Sequence, residues 1–77
     1  MNRDELYRTI YRCGVKLSRG CPQNVYYDNE FIISFDEWDD ALEIIYEKKT
    51  VFMTFMGKIK VHSEGDWIDK LKKLENS

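Results

Sequence analysis

The side chains best suited to bond chemistry in this 77-residue chain are those of Cys13, Cys21 and His62. A thiolate and an imidazole together can form a nucleophile–base pair, and both are ligands that zinc prefers. The two cysteines are too far apart for a Cys-x-x-Cys unit, and no group in the sequence is placed to orient His62. We therefore expect no catalytic cysteine, no metal site and no cofactor.

Other catalytic and nucleotide-binding patterns are also missing from the sequence. It contains neither Gly-x-Gly-x-x-Gly nor Gly-x-x-x-x-Gly-Lys, the loops that hold phosphates. Carboxylates are abundant, but we expect them to face solvent, where nothing would raise the pKa of one carboxylate above that of another. A pair that acts as general acid and general base needs such a difference. The sequence therefore predicts a protein that is not an enzyme.

The charged residues form blocks along the chain. Residues 1–20 carry a net charge of +3, residues 21–47 carry -8 without a single Lys or Arg, and residues 48–77 carry +3. The overall formal charge of -2 is thus the result of cancellation between blocks. Solvent-exposed faces usually mix the two signs, because neighbouring opposite charges are mildly stabilising. The middle block is for this reason the most unusual feature of the sequence.

The acidic block is predicted to lie on a helix over residues 36–48. Four apolar residues at positions i, i+3, i+4 and i+7 form its inward stripe, and a helical wheel places most carboxylates on the opposite face. Clustered carboxylates raise the negative potential and attract a Lys/Arg-rich surface. The inward stripe consists of Trp38, Ala41, Leu42 and Ile45, and the predicted partner-binding residues are Asp36, Asp39, Asp40, Glu43 and Glu47.

These features predict a non-enzymatic protein-binding module that inhibits or regulates a partner with a basic surface. One such surface is a groove that normally holds nucleic acid, where the carboxylates would stand in for phosphates. In size, acidity and lack of a catalytic motif, the chain is similar to small proteins of phages and other mobile elements that disable host nucleases or polymerases. Two alternatives for the stripe stay open: neutralisation by arginines of the first helix, and a plain solvated helix face.

A second hypothesis is direct nucleic-acid binding by the first helix. Its cations would contact phosphates, and its tyrosines would offer surfaces on which bases stack. The negative net charge of the whole chain is the opposite of the usual basic footprint. The residues concerned are Arg8, Arg12, Lys16 and Arg19, with Tyr7 and Tyr11 for stacking.

The whole chain, residues 1–77, is predicted to be one small α+β domain in the order α-β-β-α-β-β-α. We expect a four-stranded antiparallel sheet packed with helices. The pattern Trp-x-Asp-x-Leu begins at Trp38 and again at Trp67, and we expect both tryptophans to face the core. The predicted elements are helices at 3–13, at 36–48 and from Ser63 onward, with hairpins over 25–35 and 50–62.

A third hypothesis is a structural domain that forms homodimers through the second face of its sheet. If side chains alternate strictly along the strand from Val51, Met53 and Phe55 face the core. The same alternation in the first hairpin predicts that Val25 and Tyr27 face the core. The first helix would cover the other face, or that face would remain an apolar patch suited to self-association. The residues predicted on this second face are Tyr26, Ile32, Phe52 and Met56.

The location of the protein is predicted from what the sequence lacks. No apolar run approaches the ~18 residues that span a bilayer. The first residues have neither the apolar stretch nor the small-residue cleavage site of a signal peptide. We therefore expect a cytoplasmic protein with reduced cysteines.

Overall fold

The computed structural model describes residues 2–19 and 23–77, which form two helices packed on one face of an antiparallel sheet. The sheet has five strands, and each strand is hydrogen-bonded to the next one along the chain. Within the described residues, neither helix is long and apolar enough to cross a membrane. The elements are α1 (Arg3–Arg19), β1 (Val25–Tyr27), β2 (Phe31–Asp36), β3 (Ala41–Tyr46), β4 (Lys49–Phe55), β5 (Lys58–Val61) and α2 (Trp67–Glu75).

The predicted α+β class is confirmed, but the predicted order and strand count are wrong. The order is α-β-β-β-β-β-α, because residues 36–48 do not form a helix. They contain the end of β2, a turn over residues 37–40, the central strand β3 and the two-residue turn that follows it. Leu42 and Ile44 alternate inward along β3 and are fully buried. The β-branched and aromatic residues at positions 44–46 favour this strand over a helix.

Helix α1 continues past its predicted end at residue 13 and reaches Arg19. Gly14, predicted to stop the helix, lies inside it and packs closely against Leu42 and Ile44 of β3. A Cβ atom at Gly14 would lie 3.0 Å from Cδ2 of Leu42, closer than side chains normally pack. The missing side chain therefore lets α1 lie directly on β3.

The hydrophobic core lies between the two helices and one face of the sheet. Both helices bury one face against this side of the sheet, which places α1 and α2 in contact with each other. The predicted inward positions Trp67 and Leu71 of α2 are confirmed, since both are almost completely buried. The remaining core residues are Ile10, Cys13, Phe31, Ile33, Phe35, Leu42, Ile44, Val51 and Phe52.

A bulge in β4 decides which side chains of this strand face the helices. Val51 is an extra residue between two cross-strand pairs, Ile44 with Phe52 and Ile45 with Thr50. Val51 and Phe52 are consecutive and both are buried, which simple alternation does not allow. The prediction that Phe52 faces away from the core is therefore wrong.

The second face of the sheet lies opposite the helices, and neither helix covers it in the part of the chain that the structure describes. We name it the open face. After the bulge, Met53 and Phe55 lie on this face, and the prediction that they face the core is wrong. In the first hairpin only β1 is turned over relative to the prediction: Tyr26 packs against the core, whereas Tyr27 is exposed. The apolar residues of the open face are Val25, Tyr27, Ile32, Ile45, Met53 and Phe55.

A carboxylate near the end of α2 joins the two helices. The side chain of Glu75 is only 9% exposed and lies within 3.6 Å of the Arg12 side chain and 3.4 Å of the Lys16 ammonium. The thiol of buried Cys13 donates a hydrogen bond to Glu75 Oε2. Burial and the bond to Glu75 raise the pKa of Cys13 to about 11, so the thiol stays protonated at neutral pH. The same hydrogen bond and the two cations hold the pKa of Glu75 below its usual value.

Replacing Glu75 with Gln is expected to lower the free energy of unfolding at neutral pH by about 1 kcal/mol, because the amide carries no charge for the two cations. The ionised carboxylate stabilises the wild type above its unfolded-state pKa, and that stability is lost as the pH falls through the lowered folded-state pKa. Urea unfolding at several pH values measures the difference. We expect it to be constant down to pH ~5 and to vanish in stronger acid; a difference that grows on acidification would contradict this.

Candidate docking site

The connection between β2 and β3 presents a tryptophan to solvent. Trp38 is 96% exposed, although burial of this side chain is strongly favourable in most proteins. The two residues on each side of it, Asp36 and Glu37 before and Asp39 and Asp40 after, all carry carboxylates. We name residues 36–40 the Trp38 turn. It combines the side chain that most often anchors protein interfaces with an acidic surround.

Short hydrogen bonds hold the Trp38 turn at both ends. Asp36 Oδ1 accepts a hydrogen bond of 2.9 Å from the backbone N–H of Trp38 itself. The backbone N–H of Met56, in the turn between β4 and β5, donates to the carbonyl of Asp39, also at 2.9 Å. The tip that carries Trp38 is therefore fixed against a second hairpin, and its position is set before any partner binds.

Asp40 ties the turn to α1 and β4. Its backbone has a φ of +47°, in the left-handed region that Asp tolerates better than most residues. Its side chain accepts a hydrogen bond from the Tyr11 hydroxyl of α1. The pKa of Tyr11 is raised to about 12, mainly because the hydroxyl is buried and next because it bonds to Asp40. The hydroxyl therefore remains a donor at physiological pH. The Thr54 hydroxyl donates to the Asp40 carbonyl and accepts the N–H of Leu42.

Replacing Thr54 with the isosteric Val is expected to lower the free energy of unfolding by about 1–3 kcal/mol, because the N–H of Leu42 and the carbonyl of Asp40 lose their shared partner. Thr54 is only 4% exposed, so water cannot readily replace the hydroxyl. Urea unfolding measures the change, with Thr50→Val as the control because the Thr50 hydroxyl bonds the side chain of the partly exposed Glu43 and no other described group. Equal losses in the two variants would contradict the role given to Thr54.

The Trp38 turn keeps most of its negative charge. Arg19 lies 2.5 Å from Glu37 and also stacks over the Phe35 ring, 5.4 Å from its centroid. Among the described residues, no other cation lies within 4.0 Å of a carboxylate of this turn. Asp39 is exposed and bonds no described side chain. Neutralisation by the arginines of α1, left open by the sequence, is therefore limited to one of the four carboxylates.

Apolar side chains surround the base of the turn. Met56, which bonds Asp39, is 70% exposed, and Phe55 and Ile59 on either side of it are about half exposed. A groove of about 500 Å³ continues from this point between α1 and the β4–β5 turn, lined by Tyr7 and Arg8 among others. Among residues 2–19 and 23–77, four of the six large apolar side chains that are exposed thus lie at this end of the sheet.

The five predicted partner-binding acids do not form one row. Asp36, Asp39 and Asp40 belong to the Trp38 turn, but Glu43 lies in the middle of β3 on the open face. Glu47 lies in the turn after β3, at the opposite end of the sheet. Because a strand rises about 3.3 Å per residue, roughly 20 Å separate that turn from the Trp38 turn. The helical wheel brought these residues together only because the segment was assumed to be a helix.

One candidate docking residue was missed by the sequence analysis. Trp38 was assigned to the core, but it is exposed. The signal that indicates the turn is the run Asp36, Glu37, Trp38, Asp39, Asp40 itself, since three of its members are the Asp that favours turns and none is β-branched.

The basic residues proposed to bind nucleic acid lie on α1, and most of them contact carboxylates. Arg12 and Lys16 are shared by Glu75, and Arg19 pairs with Glu37. Arg8 has no carboxylate within 4.0 Å among the described residues. A phosphate would therefore have to compete with protein carboxylates for three of the four cations.

We accordingly expect no retardation of single-stranded or duplex oligonucleotides in a gel-shift titration at physiological ionic strength, with retardation at low salt alone read as non-specific attraction. Glu75→Gln is the informative companion variant, because it frees Arg12 and Lys16. Saturable binding by the wild type at physiological salt would support the nucleic-acid hypothesis instead.

The residues singled out for bond chemistry are not brought together. Cys13 is buried between the helices, His62 is exposed just after β5, and Cys21 lies outside the described residues. No group of three or more His, Cys, Asp and Glu side chains in residues 2–19 and 23–77 is arranged to hold a metal ion. Comparisons with known protein families, with curated proteins and with solved structures find no match. The Trp38 turn is therefore interpreted from its own geometry.

Proposed function

We propose that this domain is a non-catalytic protein-binding module that docks the Trp38 turn on a basic surface of a partner protein. The observation that carries the proposal is the 96% exposure of Trp38 between four carboxylates. The docking residues are Trp38, Asp36, Asp39 and Asp40, with Met56 beside them. Of the other two acids predicted from the sequence as members of the same site, Glu47 lies at the opposite end of the sheet, and Glu43 lies on the open face and not in the turn.

The physical basis for affinity is the tryptophan. Its side chain is large and rigid, and burying it in a partner pocket costs little conformational entropy. The bonds from Asp36 and Met56 hold the turn in place, which lowers the ordering cost of binding. Truncating an interface tryptophan of this kind to alanine commonly weakens the binding free energy by about 2–4 kcal/mol. The partner should therefore have an apolar pocket that accepts an indole ring.

The basis for specificity is charge. Carboxylates on both sides of Trp38 favour a pocket rimmed by Lys or Arg and accelerate encounter with it. If the basic surface of the partner normally holds nucleic acid, the bound turn would block it. Inhibition of a nucleic-acid-processing protein is therefore the expected consequence. The contact should weaken as ionic strength rises, because exposed charges are screened.

The experiment compares capture of partner proteins from lysate of the source cells by the wild type and by variants. We expect Trp38→Ala and Asp39→Lys each to reduce recovery of the specific partner at least ten-fold. Excess oligonucleotide should elute that partner if the blocked surface is one that holds nucleic acid.

Matched controls lie at the opposite end of the sheet. Tyr27→Ala removes another exposed aromatic ring, and Glu47→Lys makes the same charge reversal as Asp39→Lys. Both should retain the partner. A partner that is lost equally from the control variants, or kept at full strength by Trp38→Ala, would rule out the Trp38 turn as the docking site.

A further inference from the structure

The open face combines exposed apolar residues with charges that are separated by sign. Tyr27 is 65% exposed, Phe55 50% and Ile32 40%, all on the side of the sheet that neither helix covers among the described residues. One cross-strand row runs Glu43, Met53, Lys60 over strands β3, β4 and β5. The β3 side of this face is therefore acidic, the β5 side is basic, and apolar side chains lie between and beyond them.

The two charges of this row do not pair with each other within one chain. Glu43 and Lys60 are two strand spacings apart, about 10 Å, so Met53 separates them. Among the described residues, neither has an ion-pair partner within 4.0 Å.

We infer that the open face binds the open face of a second copy of this chain, in a symmetric dimer whose two-fold axis runs along the strands. Such an axis places β5 of each copy over β2 and β3 of the other. The interface then contains two symmetry-related pairs, each between Lys60 of one copy and Glu43 of the other. The apolar side chains meet between these two pairs. A two-fold interface must be complementary to itself, and this separation of charge meets that requirement.

The size of the overlapping surface agrees with a weak dimer. With β5 of each copy over β2 and β3 of the other, β1 lies outside the interface, and strands β2 to β5 give roughly 350 Å² for each copy, or about 700 Å² in total. That area is below the usual range of stable interfaces, so we expect a dissociation constant of roughly 100 μM or weaker. Because the axis runs along the strands, both Trp38 turns lie at the same end of the dimer and could engage a partner together.

The test is a charge-swap series measured by sedimentation equilibrium from micromolar to millimolar protein. Glu43→Lys and Lys60→Glu each place like charges opposite one another and should weaken the dimer at least ten-fold. The double variant Glu43→Lys with Lys60→Glu restores opposite charges and should return the dissociation constant to within a few-fold of wild type. Lys73→Glu, on the exposed part of α2, is the matched control and should have no effect.

The double variant makes the test decisive, because it has every loss of stability within one chain that the two single variants have, including the lost hydrogen bond between Thr50 and Glu43. It differs from them only in restoring opposite charges across the interface. Circular dichroism verifies that each variant is folded. A wild type that stays monomeric up to millimolar concentration would overturn the inference and leave the open face to a different protein. A dimer that the single variants do not weaken, or that the double variant does not restore, would overturn it as well. Trp38→Ala should leave the dimer intact, which separates this result from failure of the proposed function.

Discussion

Trp67→Ala is expected to remove about half of the free energy of unfolding, whereas Trp38→Ala should leave it within about 0.5 kcal/mol of wild type. Trp67 is 2% exposed, and its indole N–H donates to the carbonyl of Ser63. Truncation of such a residue to alanine costs about 3–5 kcal/mol. A 77-residue domain has a total stability of only about 5–10 kcal/mol.

Urea unfolding monitored by circular dichroism measures both variants without depending on tryptophan fluorescence. The comparison is informative because the two tryptophans occupy equivalent places in the same Trp-x-Asp-x-Leu pattern. Losses of similar size in the two variants would mean that Trp38 is buried, and would contradict the turn described here.

Replacing Ile44 with alanine is expected to cost about 2–5 kcal/mol, while the same change at its neighbour Ile45 should cost about 1 kcal/mol or less. In β3, Ile44 faces the helices and is fully buried, and Ile45 faces the open side. A helix over residues 36–48 predicts the reverse, because its inward stripe contains Ile45 and excludes Ile44.

Urea midpoints of the two variants, measured side by side, distinguish the strand from the helix. The deletion is chemically identical at the two positions, so the difference reports burial alone. A larger loss at Ile45 than at Ile44 would contradict the strand and its register.

The parts of the fold that the sequence predicted correctly have strong local signals. The hairpin over residues 25–35 contains β-branched and aromatic runs around Asp28, whose side chain accepts the N–H groups of Glu30 and Phe31. Helix α2 has a clear apolar stripe, and Trp67 and Leu71 are buried as expected. In both cases the local preference and the tertiary packing agree.

The acidic segment was mispredicted partly because its second turn lacks the usual residues. Glu47 and Lys48 connect β3 to β4 with φ values of +50° and +68°. Two-residue hairpin turns of this type are usually formed by Asn-Gly, which sequence analysis can detect. Without that signal, the spacing of Trp38 and the apolar residues after it resembles an amphipathic helix. Tertiary pairing of β3 between β2 and β4 outweighs that local pattern.

The candidate site could be predicted only in part. The unusual carboxylate density around Trp38 is visible in the sequence, and three of the five predicted acids lie in the Trp38 turn. The side of the sheet that each residue faces was not predictable, because the bulge at Val51 reverses the alternation within β4. The exposure of Trp38 follows from the turn, which a helical interpretation hides.

The most direct test of the central claim is fluorescence quenching of Trp38 in the Trp67→Phe variant, where it is the sole tryptophan. Quenching constants for acrylamide, caesium and iodide are compared with those of free N-acetyltryptophanamide at low ionic strength. The account predicts acrylamide quenching close to that of the free amide. Relative to the free amide, caesium should quench more strongly than iodide, because the surrounding carboxylates attract cations and repel anions. Weak quenching by all three, or stronger relative quenching by iodide, would contradict an exposed tryptophan in an acidic turn.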